Sequence, residues 1–167
     1  MKDSSIIEKV LSRRVFDSRG NPTIETEIIT KSGAHGRAIS PSGASTGKNE
    51  AVEMRDKDER YNGKDVKKGL KLINNEIASL LIGISCEDQK AFDKILNDYD
   101  QTSQKKKIGG NVSTSLSIAN YLCASNLNKT PAFRFYAKSD RLKIPKPEIQ
   151  IFGGGAHSGN QNSFQDF

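Results

Sequence analysis

The spacing of apolar residues changes once along this chain, and that change limits what it can fold into. Up to Ser40 the pattern repeats every two residues. Ile6 to Phe16 carries β-branched residues in a mostly alternating run, and Thr23-Ile24-Glu25-Thr26-Glu27-Ile28-Ile29-Thr30 begins by alternating cleanly, with Glu25 and Glu27 on one face. Alternation of this kind reads as strands. Ser18-Arg19-Gly20-Asn21-Pro22 and Lys31-Ser32-Gly33 read as turns, and His35 to Ser40 as a third short strand. Three sequential strands with tight turns predict an antiparallel meander.

After the segment Pro41–Lys48 the period becomes helical. Val66, Leu70, Ile73 and Ile77 form one stripe, opened by Asn62-Gly63-Lys64-Asp65 and ended near Gly83. Glu87 to Tyr99 predicts a second helix, with Phe92, Ile95, Leu96 and Tyr99 on one side. Val112 to Leu127 predicts a third, serine-rich in its first half, with Leu116, Ala119, Tyr121, Leu122 and Cys123 inward. Pro131 to Ala137 predicts a short fourth helix with proline at its start. Strands followed by helices make an α+β domain. Ser139 to Glu148, with Pro145 and Pro147, reads as a linker. Ile149-Gln150-Ile151-Phe152 reads as a short strand running into Gly153-Gly154-Gly155. A strand opening a new unit cannot bury itself alone. The expected division is therefore a domain over 1–138, a linker over 139–148 and the start of an incomplete unit over 149–167, with the natural protein continuing past Phe167.

Composition narrows the function classes. A chain of 167 residues fits one ordinary domain, or one domain plus a piece of another. Its 34% hydrophobic share allows a modest core. The net charge of +6 comes from 26 basic residues interspersed with 20 acidic ones. The densest basic run, Lys105-Lys106-Lys107, is too short for a nucleic-acid arm. With no Trp and 7% aromatics there is little to stack on bases, so no nucleic-acid partner is expected. Cys86 and Cys123 are expected as reduced core residues. The start lacks an apolar signal region and no run is long enough to span a bilayer, so a soluble cytoplasmic protein without a membrane partner is expected.

Pro41-Ser42-Gly43-Ala44-Ser45-Thr46-Gly47-Lys48 joins the two regimes. Its glycines permit tight bends and close approach to a ligand. Its hydroxyls can cap a helix, bind a phosphate or offer a hard oxygen to magnesium. A turn with a helix cap would account for such a loop on its own. It is not a nucleotide P-loop, because only three residues separate Gly43 from Gly47 and Asn49 follows Lys48. Gly153 to Asn160 fails the dinucleotide spacing, since Ser158 stands at the third glycine position. His157 beside glycines reads as a turn residue by itself. Asp166, nine positions on, would allow proton-transfer work if the two met past a strand end. His35 reads as a surface strand residue, and zinc has no Cys or His pairs at ligand spacing. Arg19 with Glu25 or Glu27 reads first as a structural ion pair and second as an interface group.

Five stretches together resemble the enolase family: Ser-Arg-Gly-Asn-Pro-Thr at 18–23, Pro-Ser-Gly-Ala-Ser-Thr-Gly at 41–47, Glu50-Ala51-Val52-Glu53-Met54-Arg55-Asp56, Tyr61-Asn62-Gly63-Lys64, and Gly-Gly-Ala-His at 154–157 followed by Gln165-Asp166-Phe167. They are collinear with the family and cover essentially the whole chain. The resemblance implies a capping domain over 1–138 and the first strand of a truncated (β/α) barrel over 149–167, with the site at the barrel's mouth. It implies reversible dehydration of 2-phosphoglycerate to phosphoenolpyruvate, in which a lysine base and two magnesium ions handle the developing charge. Ser45 resembles the loop residue that ligates the second magnesium. Gly43 and Ala44 would bring backbone close to substrate. His157 resembles the histidine near the phosphate and leaving hydroxyl, and Gln165 a substrate-contacting glutamine. Asp166 stands where the family has a glutamate that helps the hydroxide leave. Glu25, grouped with Arg19 as an interface candidate, resembles a glutamate that pairs with a second subunit's arginine, which implies a homodimer or higher homo-oligomer.

The chain also departs from the family. Asp for Glu at 166 shortens the reach by roughly 1.5 Å, and a displacement of that order costs on the order of a hundredfold in rate unless the backbone compensates. Phe152-Gly153 replaces the usual Ile-Asn, and Gly110-Asn111-Val112-Ser113 replaces Gly-Ala-Asn-Ala. These departures keep two alternatives open: a divergent enzyme of the superfamily acting on a related phosphonate or carboxylate, and a non-catalytic binding or dimerisation module. The lysine base, the second catalytic glutamate and the three carboxylates for the first magnesium are expected beyond Phe167, so the 167-residue chain alone is expected to be inactive.

Overall fold

The computed structural model describes residues 3–43, 46–137, 139, 141–159 and 162–164, with backbone only at Ala156 and His157. Two compact units are present. One holds Met1–Ser42 and Asn49–Tyr136, the other Gly43–Lys48 and Ala137–Phe167.

In the first unit, strands β1 (Ile7–Phe16), β2 (Pro22–Thr30) and β3 (His35–Ile39) form an antiparallel sheet in the order β1-β2-β3. The meander expected from the alternation is therefore present. A register shift between Ile7 and Lys9 lets both Ile7 and Val10 point inward. The inner face carries Val10, Ile24, Thr26, Ile28, Gly36 and Ala38. The outer face carries Leu11, Arg13, Glu25, Glu27, Arg37 and Ile39.

Helices cover the inner face. α1 (Lys67–Leu72), a π turn (Ile73–Ile77) and α2 (Ala78–Leu81) follow one another, and the Ala78 N–H bonds back to the Ile73 carbonyl. This run buries Val66, Ile73, Ile77 and Leu81, and the chain leaves it at Gly83 with φ +95. From its π turn, Asn74 accepts bonds from the Ser12 N–H and hydroxyl, each at 3.0 Å, which closes off the β1 edge. α3 (Gln89–Asp100) starts at Asp88, whose carboxylate accepts the Ala91 N–H at 2.9 Å. It buries Phe92 and Leu96, with Ile95 and Tyr99 packed against the core edge.

α4 (Gly110–Leu127) lies against β2 and β3. Leu116, Ala119 and Cys123 are buried as expected, while Tyr121 and Leu122 are only partly so. Two polar side chains of this helix, Ser115 and Asn120, are buried as well, because they have partners. Ser115 pairs its hydroxyl with Thr26 at 2.9 Å. The Asn120 amide donates to the Cys86 carbonyl at 3.0 Å and to Gln89. Cys86 and Cys123 are buried and unbridged. Although 37 positions apart in sequence, they meet in the fold: a hydrogen bond with Cys86, then burial, raises the Cys123 thiol pKa. A short α5 (Ala132–Phe135) follows Pro131. No helix among the described residues is long and apolar enough to cross a membrane.

The described residues of the second unit carry little regular structure. Residues 141–150 are exposed and without regular structure, and among the described residues 149–152 join no strand of the three-stranded sheet. Beyond them, Gly155–Ser158 makes a 3-10 turn, with the Gly155 N–H bonded to the Asn162 carbonyl at 3.1 Å.

Candidate functional site

Four of the singled-out stretches converge at one end of the sheet. The β1–β2 turn is folded by Asp17, whose Oδ1 accepts the N–H groups of Arg19 at 2.9 Å and Asn21 at 2.8 Å. The Asn21 N–H above all holds the Asp17 carboxyl below its ordinary pKa, against the upward push of desolvation. Gly20 takes φ +74 here, the left-handed conformation this turn requires. The turn presents the Arg19 guanidinium, and Nη2 donates to the Ser42 carbonyl at 2.7 Å.

Arg55 reaches the same serine from the other side. The backbone around it is fastened at several points. The Val52 carbonyl accepts the Gly110 N–H at 2.8 Å, the Asn111 side chain pairs with both Met54 backbone groups, and the Asp56 N–H bonds to the Asp65 carbonyl. Arg55 Nη1 donates to the Pro22 and Lys64 carbonyls, each at 2.5 Å. Nη2 donates to Glu53 at 2.6 Å and to the Ser42 hydroxyl at 3.2 Å. Such forked, charge-assisted bonding fixes geometry as well as supplying energy.

Two buried carboxylates steady this end of the fold. Asp56 accepts the Lys67 and Lys68 N–H groups at 3.0 and 2.8 Å, so it caps α1 from a distant part of the chain. Asp65 is fully buried against Arg14, with Nε 2.9 Å from Oδ1 and Nη2 3.0 Å from Oδ2. Tyr61 lies against the Arg14 guanidinium, 5.3 Å from ring centre to carbon. Lys64 Nζ donates to Asn21 Oδ1 at 3.1 Å and joins the turn to the network.

The site candidates fare differently. Gly43 follows Ser42 directly and is exposed. Ala44, Ser45, Gln165 and Asp166, and the side chain of His157, lie outside the described residues. The His157 backbone sits in the 3-10 turn Gly155–Ser158. Glu25 is nearly buried on the outer sheet face, with Arg13 Nε 2.8 Å away and Arg37 Nε 3.5 Å away. Arg13 also pairs with Glu27. The expected pairing of Arg19 with Glu25 or Glu27 is thus corrected. Strand register sets Arg13 opposite Glu25, whereas Arg19 lies in the turn and is taken up by Ser42 and, at 3.9 Å, Asp17. His35 is exposed at the sheet edge, as expected. Among the described residues no group of three or more His, Cys, Asp or Glu side chains is placed to hold a metal ion.

Sequence reasoning did not single out Arg14, and it read Arg55, Asp56 and Asp65 only as parts of longer stretches, without these contacts. Arg55 and Asp56 find their partners in other turns and elements, from Pro22 and Ser42 upstream to Lys64, Lys67 and Lys68 downstream.

Residues 7–136 match the family profile described as "Enolase, N-terminal domain". "Enolase 1" of Desulfitobacterium hafniense (strain Y51) is 45% identical over 161 residues, which is 96% of this chain and 37% of that protein. The chain spans little more than a third of that relative's length. By both the profile match and the shared sequence, this chain belongs to the enolase family and carries its N-terminal domain.

Proposed function

We propose that this chain is the capping part of a lyase that reversibly dehydrates 2-phosphoglycerate to phosphoenolpyruvate, a glycolytic step carried out in the cytoplasm. The observation that carries the reading is the 45% identity to a protein named as an enolase, maintained over 96% of the chain. The shared position of Ser42 between two arginines supports it, since it holds the start of the Gly43–Lys48 segment in place. In this reading 1–138 is the cap, 139–148 the linker and 149–167 the first strand and loop of a barrel.

Each residue then has a task. Gly43 and Ala44 present backbone to the substrate, and Gln165 contacts it. His157 sits by the phosphate and the leaving hydroxyl. Asp166 helps that hydroxyl depart with a proton, as general acids do. The described residues hold no cage for magnesium; in the family it supplies charge neutralisation beside the substrate carboxylate. Ser45 would contribute one ligand, and the remaining ligands and the lysine base are placed in the part of the relative's length that this chain does not span. Glu25 and Arg19, carried by the same hairpin, would face a second subunit in a homodimer. Asp166 and Phe152 favour one other reading, a superfamily enzyme with a related phosphonate or carboxylate substrate.

Turnover tests this directly. The isolated 167-residue chain should not convert 2-phosphoglycerate. A chimera in which it replaces the matching part of the Desulfitobacterium protein should convert it, and Ser45→Ala should abolish that activity. A folded chimera without turnover, or an active isolated chain, overturns the proposal.

A further inference from the structure

Ser42 is gripped twice, and the two grips come from different parts of the chain. The Arg19 fork, carried by a hairpin turn that Asp17 folds, takes its carbonyl at 2.7 Å. The Arg55 fork, carried by a strap pinned to α4, takes its hydroxyl at 3.2 Å. Backbone position and side-chain rotamer are both fixed as a result. Ser42 is also the last residue of the first unit before Gly43–Lys48, which is assigned to the second.

We infer that Arg19 and Arg55 are positioning residues, which set where the Gly43–Lys48 segment begins by clamping Ser42. The two are not equivalent. Arg19 is half-exposed and makes one bond to the serine, so its loss releases the carbonyl and little else. Arg55 is mostly buried and also ties the Pro22 and Lys64 carbonyls to Glu53, so it couples the root of the segment to the β1–β2 turn and the entrance of α1. A lysine at 55 keeps the charge but lacks the planar fork, and one ammonium cannot reach four acceptors spread around a guanidinium. What the segment does for a substrate rests on the lyase reading. The clamp does not, and it is read without substrate.

The test uses the 167-residue chain and the protease Lys-C, with cleavage quantified site by site. Lys48 lies in the segment, Lys143 in the irregular stretch serves as an exposed reference, and Lys94 in α3 reports opening of the whole domain. Arg19→Gln and Ser42→Ala should each speed cleavage after Lys48 by about tenfold, the effect of losing one charge-assisted hydrogen bond, while Lys143 and Lys94 stay at wild-type rates. Arg55→Gln and Arg55→Lys should behave alike and exceed both. Should Arg55→Gln fail to fold, Arg19→Gln and Ser42→Ala decide. Unchanged cleavage after Lys48 in those two folded variants overturns the clamp. So does a rise after Lys48 matched by an equal rise after Lys94, which marks general destabilisation. Failure of the chimera to turn over leaves this result unaffected, so the two proposals fail separately.

Discussion

Asp100 is fully buried at the end of α3, where a carboxylate needs every lone pair occupied. Oδ1 accepts the Thr102 N–H at 2.9 Å and the Thr102 hydroxyl, and Oδ2 accepts the N–H groups of Lys107 at 2.7 Å and Ile108 at 2.6 Å. Burial pushes its pKa up, but the Thr102 hydroxyl and these three N–H groups outweigh it and hold the carboxyl at about 2 instead of the ordinary 3.8. The sign follows from the depressed folded value. The contribution is complete above about pH 4 and drains away as pH falls toward 2, and it is worth about 2 kcal/mol. Asp100→Asn should lower stability at pH 7 by about that amount and flatten the acid limb between pH 4 and 2. Urea titrations at pH 7, 4 and 2.5 read both effects, and an acid limb unchanged in the variant would assign the pH dependence to other groups. Nothing in the sequence singles this residue out, because three of its four donors are backbone groups of a loop whose path cannot be read from side-chain types.

Between elements, β3 lies close against α4. A Cβ added at Gly36 would lie 2.1 Å from the Cys123 nitrogen and 2.2 Å from the Ala119 carbonyl oxygen, inside helix backbone that cannot yield. Gly36→Ala should therefore cost about 3 kcal/mol, the upper end of ordinary overpacking. Thermal unfolding measures it, and a loss under about 1 kcal/mol would mean that strand and helix separate easily. The elements themselves were largely legible. Two-residue alternation marked the three strands, and the spacing of Val66, Ile73 and Ile77 marked a helical run, though not the π turn inside it. Less legible was why α4 buries polar side chains. The partners that allow Ser115 and Asn120 to be buried, Thr26 and Cys86, come from 89 and 34 positions away. The candidate site was legible only in part for the same reason. Its small and glycine-rich stretches stand out in the sequence, but the arginines that gather them reveal themselves only through distant partners.

At the scale of the whole chain, stability and surface are unevenly distributed. The buried apolar side chains run from Ile7 to Ala124. After Ala137 the described large apolar residues lie open: Ile144 is 96% exposed, Ile149 75%, Ile151 72% and Phe164 74%. Burying a side chain of this size is worth about 1.5–3 kcal/mol, so these residues withhold stabilisation and expose a sticky stretch to solvent. A chain ended at Ala137 should keep its cooperative unfolding, with a midpoint within about 4 °C of the parent, the shift that about 1 kcal/mol produces at this size. It should also remain monomeric where the longer chain associates as concentration rises, a difference that light scattering resolves. A midpoint lowered by more than about 10 °C would show that the last thirty residues carry stability despite their exposure. Equal association in both chains would move the adhesive surface to the outer sheet face, where Leu11 and Ile39 flank the Arg13–Glu25 pair.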